Sequence, residues 1–123
     1  MFNHIALHVN DLDASTRFYT SALAPLGHVL CSRDETSASF GSPEAPALWL
    51  YLADQSTRAD GKREAHLAFS APSHAVVERF HACGLKAGGR DNVPPGLLLD
   101  YGPTYYAAFL LDPDGNNVEA VCL

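Results

Sequence analysis

Apolar and polar residues alternate through residues 2–9: Ile5, Leu7 and Val9 point one way and His4, Ala6 and His8 the other. This period of two predicts a strand with one greasy face and one face that carries imidazoles. The period changes at Asp11. Through Leu23, Ala14, Phe18 and Ala22 recur at helical spacing, as do Leu12, Tyr19 and Leu23, behind an acidic first turn, and Pro25 and Gly27 stand beyond the end. A helix is predicted, packed on the greasy face. Residues 27–33, 36–41 and 47–53 then read as three short strands separated by turn-formers such as Ser42 and Pro43. The order is βαβββ.

Over residues 55–64 the composition shifts to Ser, Thr, Asp, Gly, Lys and Arg, beside Gln55, Ala59 and Glu64, with almost nothing to bury, which predicts a connector. The pattern then begins again. A shift of sixty-two positions lays His4-Ile5-Ala6-Leu7 on His66-Leu67-Ala68-Phe69 and Arg17-Phe18 on Arg79-Phe80, which marks an internal duplication. A helix is expected over residues 73–84, with Ser73 as N-cap, Ala75, Val76, Phe80 and Cys83 as the apolar stripe, and Gly84 at the C-terminus. Residues 85–90 read as a strand, 92–103 as a long loop containing Pro94-Pro95-Gly96, and 104–111 and 116–122 as strands joined by the turn Asp112-Pro113-Asp114-Gly115. The whole is one α+β domain: module one over residues 1–54, the connector over 55–64, and module two over 65–123.

The chain has 123 residues, enough for one domain, and 47% of them are hydrophobic, enough for a real core. The formal charge is −6 with the positive residues scattered, which leaves no electrostatic footprint for nucleic acid or an anionic membrane. The longest apolar stretch, residues 47–53, is far short of a bilayer span, and no signal-type segment develops at the N-terminus, so a cytoplasmic location is expected. Cys31, Cys83 and Cys122 are odd in number and lack a C-x-x-C spacing, so neither a disulfide framework nor a thiolate zinc knuckle is indicated.

The duplication gives the histidines chemical meaning. Equivalent strands of two paired modules bring His4 and His66 to equivalent positions, and Glu119 lies centrally in the last strand. Two imidazoles and a carboxylate from different strands suit one face of a metal's coordination sphere, with positions left open for a substrate. The corresponding strand of module one, Ala47-Leu48-Trp49-Leu50-Tyr51-Leu52, has no carboxylate, so three protein donors are expected rather than four. A four-residue turn at 112–115 would set Ala108 opposite Glu119 and bring Tyr106 onto the carboxylate face as a catalytic or substrate-contact residue. A bulge at Gly115 would substitute Tyr105. Taken singly, each histidine also reads as a half-buried strand residue bonded to backbone, and Glu119 as a solvated carboxylate.

The strings H4-I-A-L-H-V-N-D-L-D-A-S-T-R-F-Y19, H66-L-A-F and L111-D-P-D-G-N-N-V-E-A-V121 resemble the vicinal oxygen chelate superfamily, which includes glyoxalase I, fosfomycin-resistance proteins, extradiol dioxygenases and bleomycin-resistance proteins. The resemblance implies paired βαβββ modules curling into an open eight-stranded cup, helices outside it, and a divalent metal on its floor held by His4, His66 and Glu119. It also implies dimerisation, in some members with ligands shared between chains. The missing module-one carboxylate departs from glyoxalase I and is nearer the three-donor pattern of extradiol dioxygenases and fosfomycin-resistance enzymes.

Further substrate-binding candidates surround that centre. His8 shares a strand face with His4 and reads as pocket wall. Trp49 reads as a stacking wall for a planar substrate or as core. Arg90 and Asn92 stand before the proline-rich loop, where Arg90 would hold an anionic group. The loop itself reads as a lid. His28, His74 and His81 read as surface residues. The expected cofactor is a divalent ion, with iron, manganese, nickel, cobalt and zinc all compatible. A small-molecule substrate and a homodimer are the expected partners. The alternative is a metal-free binding protein of bleomycin-resistance type.

Overall fold

The computed structural model describes residues 1–54, 56 and 65–123. Apart from Ser56, the expected connector lies outside the described residues. The elements follow in the order β1 (Ile5–Val9), α1 (Leu12–Leu23), a 3₁₀ turn (Ala24–Leu26), β2 (Val29–Arg33), β3 (Ser37–Ser42), β4 (Ala45–Leu52), β5 (His66–Ser70), α2 (His74–Lys86), β6 (Arg90–Leu97), β7 (Tyr106–Leu111) and β8 (Asn117–Cys122). They form two open four-stranded sheets of like topology, β1-β4-β3-β2 and β5-β8-β7-β6. In each, the first strand pairs in parallel with the fourth and the rest are antiparallel. The βαβββ repeat is therefore real, and among the described residues no helix is long and apolar enough to cross a membrane.

Each helix starts where its cap is written. The Asp11 carboxylate accepts from Ala14 N at 3.0 Å, and the Ser73 hydroxyl accepts from Val76 N at 3.2 Å. Such caps contribute about 1 kcal/mol apiece. Helix α1 packs on its own sheet, α2 packs on the other, and the two helices pack on each other. One core runs through both modules, from Val9, Phe18 and Phe40 to Phe80, Leu110 and Val118. Full burial of an aromatic such as Phe18 contributes about 1.5–3 kcal/mol. Tyr19 and Asp112 join the modules: the buried Tyr19 hydroxyl donates to Asp112 Oδ2 at 2.6 Å. Burial, with the Asp112 charge and hydrogen bond next, pushes the Tyr19 phenol well above its ordinary range.

Two sequence expectations are overturned. Residues 85 and 86 belong to α2, not to a strand, and Gly84 lies inside the helix rather than at its end. A Cβ on Gly84 would sit 3.3 Å from Phe18 and 3.5 Å from Ala22, so the glycine is a point of close helix approach. The turn out of the helix falls instead at Gly88, whose φ is 99°.

The expected loop over 92–103 is also shorter, because β6 runs on through Asn92, Pro94 and Pro95 to Leu97. It can do so because β6 is an edge strand with two register shifts, the setting in which a sheet accommodates residues that lack an amide hydrogen. The remaining loop, residues 98–105, folds on itself through Leu98 N to Tyr105 O at 2.8 Å and Tyr101 N to Leu98 O at 3.0 Å.

Candidate metal centre

Val118 and Ala120 of β8, like Ala108 and Leu110 of β7, belong to the core on the helix side. Residues of the other parity, Glu119 and Phe109, therefore lie on the outer face of the second sheet, directly opposite each other across β7 and β8. Ala68 of β5 flanks Glu119 from the other side, one position pair along from His66. His66 reaches across diagonally, and its Nε2 stands 2.8 Å from Glu119 Oε1. The Tyr105 hydroxyl donates to the other carboxylate oxygen, Oε2.

Glu119 is 1% exposed although it lies on the outer face, whereas the His66 side chain is 50% exposed. The carboxylate thus has a neutral donor on one side and an imidazole opening to solvent on the other. The hydrogen bond to Glu119, followed by burial and then the Glu119 charge, pushes the Tyr105 phenol up to about 12. Tyr101 packs edge-on to Tyr105 with ring centroids 5.1 Å apart, and Phe109 lies 5.9 Å from the His66 ring. An open groove of about 630 Å³ runs beside these residues, with Leu97, Leu99 and Tyr101 above and Phe109, Asn92 and Asn117 below. Asn92 Nδ2 donates to Asn117 Oδ1 at 3.2 Å on its floor.

The register decides between the two tyrosines. Because Leu111 pairs with Asn117, five residues rather than four separate the last pair of the hairpin. Gly115 takes φ 88° in that turn, and Asp112 gathers Asp114 N at 2.9 Å and Asn116 N at 2.8 Å. The extra residue moves Ala108 into the core and sends Tyr106 to the helix side. There its hydroxyl donates to Glu78 at 2.9 Å and its ring stacks on His74 at 3.8 Å. Tyr106 is therefore not a contact of Glu119, and Tyr105 takes its place.

The remaining candidates divide by position. Arg90 pairs with Leu111 and is exposed, at the far end of the face that carries Phe109. His8, Trp49 and Tyr51 share the outer face of the first sheet. Trp49 and Tyr51 stack at 6.0 Å with 10° between planes, and His8 lies 6.1 Å from Tyr51. His4 is exposed, with its Nδ1 at 2.7 Å from Asn3 Oδ1. His4 and His66 both line an apolar cavity of about 280 Å³ between β1 and β5. His4 does not join His66 and Glu119: among the described residues, no three His, Cys, Asp or Glu converge as a metal-binding group. His28 lies 6.1 Å from Phe69, in the wall of the same cavity, and His81 is largely buried against Asp91 at 2.7 Å, so neither is a plain surface residue. Sequence reasoning passed over Phe109 and Asn117, which the hairpin register would have disclosed.

The donor chemistry fits a divalent cation. Two cis donors with bonds of about 2.1 Å stand about 3 Å apart, close to the separation that His66 Nε2 and Glu119 Oε1 already have.

The family model of the Glyoxalase/Bleomycin resistance protein/Dioxygenase superfamily matches residues 1–120, and the chain belongs to this superfamily. A glyoxalase/bleomycin resistance protein from Albidiferax ferrireducens T118 is 29% identical, with TM-score 0.78 and coverage of 100% of this chain and 98% of that one. A glyoxalase-related enzyme from Fulvimarina pelagi is 22% identical, with TM-score 0.77 and coverage of 100% and 88%. A lactoylglutathione lyase from Agrobacterium tumefaciens is 22% identical, with TM-score 0.66 and coverage of 99% and 92%. The last two show the shared fold. A search of curated proteins finds no match.

Proposed function

We propose that the protein is a divalent-metal-dependent enzyme that takes a small substrate through two adjacent oxygens, and that it works as a homodimer whose copies complete each other's sites. The observation that carries this reading is the carboxylate of Glu119, 1% exposed, with Oε1 held 2.8 Å from the imidazole of His66. A buried carboxylate outside the core, at donor spacing from a solvent-facing imidazole, is costly to keep unless it serves a charge.

His66 and Glu119 hold the cation, and His4 of a second copy is the third donor. Two features support the dimer. Phe2, ahead of β1, and Ile5, its first residue, are 77% and 39% exposed, and Tyr51 on the outer face of the first sheet is 38% exposed. Laying the first sheet of one copy over the second sheet of the other covers both faces and brings His8 and Trp49 over the groove. The bound cation supplies Lewis acidity to the substrate's vicinal oxygens. Leu97, Tyr101 and Phe109 take the substrate's apolar body and exclude water, while Asn92 and Arg90 take a polar or anionic end. An imidazole pair with one carboxylate suits iron, manganese, nickel, cobalt or zinc. The three free cysteines suit a reducing cytoplasm.

Elemental analysis of protein purified anaerobically tests the reading. Near-stoichiometric divalent metal is expected in the wild type and its loss in His66→Ala and Glu119→Gln. Metal-free wild type that stays metal-free after incubation with each candidate ion overturns it.

A second reading rests on the stacked Trp49 and Tyr51. Their faces suit a planar or cationic ligand sequestered without metal, as in bleomycin-resistance proteins.

A further inference from the structure

Glu119 has two oxygens with different duties. Oε1 faces the imidazole of His66, while Oε2 is committed to the phenol of Tyr105. That phenol is held in turn. Tyr105 O accepts from Leu98 N at 2.8 Å, and the Tyr101 ring packs on it edge to face.

A carboxylate free at both oxygens can chelate one cation with both and fill two of its positions. A carboxylate with one oxygen bonded to a fixed donor presents the other alone. We infer that Tyr105 is the positioning residue of this centre: its hydroxyl restricts Glu119 to a single donor oxygen, which keeps an additional coordination position open for the substrate. The inference rests on the metal-dependent reading above and goes beyond it by assigning a residue to coordination number. It also links the loop over residues 98–105 to the centre, because the loop that roofs the groove is the one that holds the clamp. Tyr105 does not itself touch the cation.

The test is cobalt(II) titration of the full chain, wild type and Tyr105→Phe, followed by calorimetry and by visible absorption, which reports coordination number independently of turnover. Tyr105→Phe keeps the ring against Tyr101 and removes only the hydroxyl. Tyr106→Phe, whose hydroxyl bonds Glu78 on the helix side, serves as the control. Expected in Tyr105→Phe is a weaker visible band, as Glu119 gains its second oxygen and coordination number rises. Tyr106→Phe is expected to match the wild type. An unchanged spectrum in Tyr105→Phe, with the wild type binding, overturns the clamp alone. A wild type that takes up no cobalt or any other divalent ion overturns the metal reading and the clamp together. A change of equal size in Tyr106→Phe assigns the effect to the strand rather than to the hydroxyl and likewise overturns the clamp.

Discussion

The Tyr19 hydroxyl of the first module and the Asp112 carboxylate of the second meet at 2.6 Å, both side chains buried. Asp112 also takes Asn116 Nδ2 at 3.0 Å, so a motif that reads as a hairpin turn is the joint between the two halves. Removing one donor from a buried carboxylate costs about 1.5–3 kcal/mol. Tyr19→Phe is expected to lose that much in urea denaturation with the m-value unchanged, because the surface exposed on unfolding is the same.

The same pair sets an alkaline limit. Folding raises the Tyr19 phenol above its unfolded value, so its contribution is fully present below about pH 10 and is lost as pH rises from there toward the folded pKa. Stability of the wild type should therefore fall above pH 10, and Tyr19→Phe should lack that component. Denaturant midpoints between pH 9 and 11 measure the difference.

Helix approach is sensitive to a single methyl group. A Cβ on Gly89 would meet Phe18 Cε1 at 2.5 Å and Gly84 O at 2.9 Å, neither of which is the end of a flexible chain. Gly89→Ala should cost about 1–3 kcal/mol through forced displacement of the ring or backbone, read as a lowered Tm. At Gly84 the closest atom is Leu110 Cδ1, at the tip of a side chain, so Gly84→Ala should cost less.

Sites assembled from two copies can be complemented. If His4 completes the centre of a second copy, His4→Ala and Glu119→Gln each break every site of their own homodimer. Exchange of equal amounts yields mixed dimers with one intact site, so about a quarter of all sites should recover. Metal content and turnover after mixing measure this. Recovery of nothing, with exchange demonstrated, would overturn the shared site and remove His4 from the donor set.

The metal-free reading makes its own claim on the single tryptophan. If the stack of Trp49 and Tyr51 takes a planar cation directly, fluorescence quenching by such ligands should persist in chelator and in Glu119→Gln. Quenching that needs added metal argues for the first reading.

Much of this architecture was legible in the residues. The alternation around Ile5 and the helical spacing of Phe18 and Tyr19 are local patterns, and the His4 and His66 repeats set the two modules in register with each other. A glycine such as Gly84 permits both a helix end and a close helix crossing, and only its neighbours in space, Leu110, Phe18 and Ala22, distinguish them. Pro94 and Pro95 suggested a loop because nothing local reveals that their strand lies at an edge. The choice between Tyr106 and Tyr105 turns on one residue in the hairpin, because a side-chain period of two sends neighbours to opposite faces. The distance between His4 and the other donors is a matter of how modules face each other, which no stretch of sequence encodes by itself.

The prolines of β6 have one more consequence. An unpaired strand at a sheet margin invites other chains to add themselves by backbone hydrogen bonding, the route to fibrils. Pro94 and Pro95 take adjacent amide hydrogens out of this edge strand, one of them from its open side, so the flank is poorly suited to templating runaway growth.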